Sequence, residues 1–193
     1  MFLALLTSTS LTTPYAAELD TQNLRFCRER IEIELNGDYC VLNGTYYFKN
    51  EAKSAMEQIL FYPFVISREL PYPDSISVWE AATNQRVEYS RSDDGISFRV
   101  SVPAQSFSVY KVSYRQRTPT AYMEYILTTT ADWRKPLEIA EYQIKVPRNL
   151  ALVYLSLPGV SSSKRGGESI YYVRKEHYMP AANIIVRWTE MSL

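Results

Sequence analysis

His177 is the one imidazole in the chain, so any triad, zinc site or proton shuttle that uses histidine must use it. It stands in Arg174-Lys175-Glu176-His177-Tyr178, a mixed polar end of an alternating run, where a rim histidine is the plain expectation. A triad would also need an oriented nucleophile, and no nucleophile elbow is present. Zinc would lack a ligand set. Cys27 and Cys40 offer a second route. Nothing near either thiol resembles the environment that activates a nucleophile. A disulfide is the other use, and it would suit an exported protein. If Asn36-Gly37 forms a two-residue turn, Cys40 faces Ile33 and Cys27 lies roughly 20 Å further along the strand. A bridge spans only about 7 Å between α-carbons, so the chain before Arg30 would have to fold back. The alternative is a pair of buried thiols packed as small hydrophobes.

Carboxylate chemistry and anion binding each have one visible candidate. Asp93-Asp94 could serve glycoside hydrolysis only if its carboxyls, or one of them and a distant partner, met at about 5 Å or 6.5–9.5 Å in space. The local reading is a turn at Asp94-Gly95 between two strands. The spaced oxygen ligands of a calcium loop are missing. Ser161-Ser162-Ser163-Lys164-Arg165-Gly166-Gly167 could cradle an anion on exposed N–H groups, or be a long hairpin loop. Asn43-Gly44-Thr45 is a glycosylation sequon in a eukaryotic secretory host and otherwise reads as an Asn-Gly turn.

The unusual compositional feature is 16 Tyr, with 7 Phe and 3 Trp, in 193 residues. Neighbouring strand residues face opposite ways, so each of the doublets Tyr46-Tyr47 and Tyr171-Tyr172 should turn one ring outward. Outward rings on a β-sandwich can stack on sugars or on partner proteins. They can also be strand formers whose hydroxyls reach water. Trp188 alternates with Ile184 and Val186 and should be core, whereas Trp133 falls in a polar segment read as a loop. Trp133 is therefore the best contact candidate.

The elements that would position these residues follow a period of two. Ile31, Ile33 and Leu35 alternate with Arg30, Glu32 and Glu34; Ile96, Phe98, Val100 and Val102 with Ser97, Arg99 and Ser101; Ala140, Tyr142, Ile144 and Val146 with Glu141, Gln143 and Lys145. Each is a half-buried strand. Leu150–Leu157 is apolar on both faces and predicts a central strand. Asn50–Gln58 is the only helical candidate. About a dozen short strands, with prolines at run ends, predict an all-β chain: an antiparallel, immunoglobulin-like β-sandwich in two packed subdomains. The polar stretch Arg115–Thr120 predicts the boundary, giving residues 24–117 and a smaller unit, 118–193, that packs against the first or shares a sheet with it.

Thr45-Tyr46-Tyr47-Phe48-Lys49-Asn50, followed by Ile59-Leu60-Phe61-Tyr62-Pro63-Phe64, resembles a motif of the VIT module of inter-alpha-trypsin-inhibitor heavy chains and of several uncharacterised exported bacterial β-sandwich families. Tyr125-Ile126-Leu127-Thr128-Thr129 with Trp133 and Pro136, then Tyr142–Pro147, is similar to the second half of those bacterial proteins. The resemblance implies fold and compartment and carries no catalytic residues. The apolar run Met1–Leu6, the Ser/Thr-rich stretch and Pro14-Tyr15-Ala16-Ala17 outline a signal peptide over residues 1–17, truncated at its start; the alternative is a mobile, uncleaved tail. With 21 basic and 21 acidic side chains the net charge is zero, which disfavours nucleic acid as a partner. No segment approaches the roughly 18 apolar residues of a spanning helix. The expectation is an exported, non-enzymatic interaction or structural module, with no cofactor, whose partner is an envelope protein or a polysaccharide. A carbohydrate-binding module using Trp133 and outward Tyr rings, and a carboxylate hydrolase, are the alternatives.

Overall fold

The computed structural model describes residues 24–191, so the export-signal reading of residues 1–17 lies outside the described residues. The alternating runs become fourteen strands in three sheets, with one 3-10 turn, Thr128–Trp133. The large sheet runs, edge to edge, through β12 (Ser161–Arg165), β13 (Glu168–Tyr178), β10 (Leu137–Val146), β1 (Leu24–Asn36), β2 (Tyr39–Asn50), β8 (Ser106–Arg117), β4 (Asp74–Glu80) and β5 (Gln85–Arg86). One small sheet orders β11 (Leu150–Leu155), β14 (Ile184–Glu190) and β9 (Tyr122–Tyr125). The other orders β3 (Met56–Pro63), β7 (Gly95–Val102) and β6 (Tyr89–Arg91).

The period-two pattern dictates a two-layer arrangement. Ile31, Ile33 and Leu35 of β1, Leu42, Tyr46 and Phe48 of β2, Val112 and Tyr114 of β8, and Tyr142 and Ile144 of β10 are buried together. Val186, Trp188 and Met123 from one small sheet and Ile96, Phe98 and Val100 from the other belong to the same core. Trp188 is core, as its alternation requires. The fold is all-β and sandwich-like, with one departure from a purely antiparallel layout: β1 and β10 run parallel, from Arg28 opposite Ile139 to Glu34 opposite Lys145. A parallel neighbour needs a long crossover, and here strands β2 to β9 and the 3-10 turn all intervene before β10 returns to β1.

Several local expectations are corrected. The first hairpin turns on Gly37-Asp38, with Asn36 opposite Tyr39 and Cys40 opposite Leu35. Glycine at the first central position, with φ 58°, supplies the positive φ that such a turn requires. Asn43-Gly44 is no turn; β2 runs straight through it, and the Ser113 hydroxyl donates to Asn43 Oδ1 at 2.7 Å. The helical candidate dissolves: Asn50 ends β2 and β3 begins at Met56. There the Asn50 amide donates to the carbonyls of Ser54, Val102 and Pro103 and accepts from Ala52 N–H, so it ties the turn together. Leu150–Leu155 is an edge strand of a small sheet, with Val153 and Tyr154 exposed beside a register shift. Ser161–Arg165 is strand β12, closed onto β13 by Gly166-Gly167 at φ 60° and 88°, because a two-glycine turn permits a tight hairpin. Arg115–Arg117 completes β8, and Gln116 and Thr118 are buried polar residues. Gln116 Nε2 donates to the Val65 and Pro71 carbonyls, and Thr118 N–H and Oγ1 donate to the Asp38 and Gly37 carbonyls.

Candidate ligand-binding pocket

The three sheets do not close completely where they meet. A cavity of about 90 Å³ opens over β1 and β2, lined by Phe26, Glu29, Tyr46 and Phe48 from the large sheet. Leu60, Tyr62 and Phe98 wall one side, and Tyr125, Thr130 and Trp133 the other.

Glu29 reaches this cavity through a single-residue device. Before Cys27 the even residues Leu24 and Phe26 point inward; after it the odd residues Glu29, Ile31, Ile33 and Leu35 do. In the pairing of β1 with β2, Phe26 faces Phe48 and Arg28 faces Tyr47, so Cys27 is the extra residue of a β-bulge. The bulge keeps Phe26 and Glu29 on one face while Arg28 and Arg30 stay in solvent. Glu29 is only 3% exposed. Tyr142 Oη donates to Glu29 Oε1 at 2.5 Å. Burial pushes the carboxyl up to about 7, the tyrosine hydrogen bond offsetting part of that rise.

The tyrosines beside it form a hydroxyl cluster. Tyr46 Oη lies 2.7 Å from Tyr62 Oη and 2.8 Å from Tyr125 Oη. Burial holds all three phenols well above their ordinary range, so they stay neutral donors and acceptors. The Tyr46 ring lies back over Gly44, two residues earlier on the same face; a β-carbon there would stand 2.0 Å from Tyr46 Oη. Trp133 is set by the 3-10 turn. Asn183 Oδ1 accepts from Leu127 N–H at 3.1 Å at its start, and Arg134, at φ 55°, donates to the Ala131 carbonyl at its end. This packs Trp133, tilted, against Phe26 and Phe48, with ring centroids 5.9 and 5.7 Å apart.

The structure thus gathers two of the aromatic candidates, Tyr46 and Trp133, and disperses the rest. Trp133 is half-buried at the cavity rather than displayed on a loop. Tyr47 and Tyr172 occupy the outer face of the large sheet on β2 and β13, with β1 and β10 between them, at least about 14 Å apart. Tyr172 donates to Glu141 Oε1 at 2.5 Å. Tyr171 is half-buried against the core. Cys27 and Cys40 are free and buried. Cys40 sits opposite Leu35, eight residues along β1 from Cys27, a distance of roughly 27 Å that no disulfide spans. His177 is exposed on β13 with φ 50°. Asp93 and Asp94 are exposed in the turn between β6 and β7, where Ser92 Oγ donates to Asp94 Oδ1. Glu29 was missed by reading motifs, although its phase with Ile31, Ile33 and Leu35 already places a carboxylate on the apolar face.

No protein-family model and no curated protein matches the sequence. The likeness to the VIT module therefore remains one of short strand motifs. Solved structures do match in shape. A protein of Legionella pneumophila, named only provisionally as nutrient binding, superposes with a TM-score of 0.71 at 13% identity, over 86% of this chain and 67% of that one. An M1 zinc metallopeptidase of Deinococcus radiodurans gives 0.51 at 9% identity, over 86% of this chain and 42% of that one. At these identities the shared property is the fold.

Proposed function

We propose that the chain is a non-enzymatic, exported binding module whose ligand enters the aromatic cavity at the junction of the three sheets. The observation that carries this reading is Glu29, a buried carboxylate lining a cavity of aromatic and aliphatic side chains with two threonines. Burying an ionisable group without a full set of partners costs several kcal/mol by general estimate, and proteins retain such groups where they serve a ligand. The provisional nutrient-binding name of the Legionella protein supports the same class. A sugar ring does not fit inside this cavity: roughly 150 Å³ holds benzene, so about 90 Å³ takes only the end of a ligand. The hydrolase alternative would need a second carboxylate within reach, and among the described residues Glu29 is the only one lining the cavity.

A second reading, docking of an envelope protein's extended segment, draws on β3. It pairs only with β7 among the described residues, and Ile59 and Phe61 on it are 61% and 50% exposed. The cavity reading is tested by thermal unfolding of the protein with panels of small amines, amino acids, carboxylates and sugars, beside Thr129→Trp. Thr129 is an exposed residue of the cavity lining, so the larger ring should block entry without disturbing the core. Stabilisation by one panel, lost in Thr129→Trp, is the expected result. No shift with any panel, or shifts that persist in the blocked variant, would overturn it.

A further inference from the structure

We infer that the cavity takes a small organic cation, an ammonium group carrying methyl or short alkyl substituents, with Glu29 as its counter-ion. This rests on the binding reading above and names its ligand class.

The lining chemistry selects the sign of charge. Among the described residues no Lys, Arg or His lines the cavity, and Glu29 is its only carboxylate. The groups that face Glu29 from the packed strands are Tyr142 of β10, Tyr46 of β2, Tyr62 of β3, Tyr125 of β9 and Tyr178 of β13. All are neutral phenols. Once Glu29 is ionised, an anion would meet the carboxylate head on, and a neutral ligand would leave its charge uncompensated. A cation supplies the missing charge.

The aromatic lining selects the kind of cation. Phe26, Phe48, Tyr46 and Trp133 present ring surface to one small space, and the negative face of an aromatic ring attracts a cation most when both are out of water. The Tyr46 hydroxyl is already bonded to those of Tyr62 and Tyr125. Beyond these phenols and the Thr129 and Thr130 hydroxyls, the walls are apolar and replace little of the shell of a strongly hydrated ion such as sodium. An alkylated ammonium gives up less hydration and gains apolar contact with Leu60 and Phe98. About 90 Å³ does not enclose a whole trimethylammonium group, so its leading methyl groups would seat among the rings while the rest of the ligand stands in the opening.

The test is calorimetric titration of the full chain at pH 8 with choline and with its uncharged carbon isostere, 3,3-dimethylbutan-1-ol. Choline should bind about tenfold tighter or more, a margin within reach of a buried cation over aromatic rings. In Glu29→Gln choline should lose most of that margin over the alcohol, and in wild type choline should weaken at pH 5 while the alcohol does not. Trp133→Leu should weaken choline more than the alcohol, which keeps the test sound if Glu29→Gln folds poorly. Equal binding of both probes to wild type, blocked by Thr129→Trp, would overturn the cation assignment and leave the cavity as a binding site. Binding of either probe that Thr129→Trp does not affect, or no binding of choline at all, would overturn the assignment as well. The small-molecule panels then decide separately whether the cavity binds anything.

Discussion

Glu29 ties the folding equilibrium to pH in a direction opposite to that of a salt-bridged carboxylate. Its carboxyl is raised to about 7 in the folded chain against an ordinary 4.5, so the folded state holds its proton more tightly than the unfolded state. Its contribution to stability is whole below about pH 4.5, declines as pH rises toward 7, and is lost above that, by roughly 3 kcal/mol in all. Glu29→Gln keeps the shape and can still accept from Tyr142, so it should match wild type at pH 4 and exceed it by up to about 3 kcal/mol at pH 8 in paired urea melts. Equal stabilities at pH 8 would show that the carboxyl ionises freely. Gly44 makes a steric claim at the same scale. A methyl there would collide with a ring whose hydroxyl is held by two others, so Gly44→Ala should cost about 1–3 kcal/mol and displace Tyr46 from Tyr62 and Tyr125. The thiols make a chemical one. Burial pushes Cys40 up to about 12 and raises Cys27, so both should be unreactive toward a thiol reagent in the native protein. Denaturant without reductant should release two thiols, and none released would establish the bridge that the strand register forbids.

At the scale of the element, β1 shows what the sequence discloses and what it hides. The alternation of Ile31, Ile33 and Leu35 with charged residues was legible because one face of the strand is buried and the other wet. The break in that alternation at Phe26-Cys27 was not, since a bulge is defined by the partner strand and only the pairing of Phe26 with Phe48 and Arg28 with Tyr47 reveals it. Trp133 was hidden for a related reason. Its burial depends on Phe26 and Phe48, more than eighty residues away in sequence, and no local pattern reports that contact. Leu150–Leu155 misled because a doubly apolar run also suits an edge strand that covers part of a core. The bulge makes a deletion experiment informative. Removing Cys27 leaves Phe26 inward, Arg28 outward and Glu29 inward, so that variant should melt cooperatively within about 1–2 kcal/mol of wild type. Removing Glu32 would turn Arg28 and Arg30 into the core and Ile31 out of it, and should abolish folding. If both deletions fold equally well by circular dichroism, register in β1 is not set by the buried face.

For the whole molecule, the parallel seam between β1 and β10 decides whether the two halves can exist apart. The seam joins seven residue pairs in the middle of the large sheet, and β10 brings Tyr142 to Glu29. Residues beyond 118 also supply Met123, Val186 and Trp188 to the core, and Tyr125 and Trp133 to the cavity. A first half without them would expose one long edge of β1 together with Ile31 and Ile33. The second half would keep β10 and β13 as a ribbon with a bare apolar face, which is marginal alone. Expressed separately after a cut behind Pro119, neither half should give a dispersed amide spectrum or a cooperative melt, and co-expression should restore both. A well-dispersed spectrum from residues 24–119 alone would show that the first half closes its own core. The seam would then be a docking surface, and the cavity an opening between two independent bodies whose separation could govern ligand release.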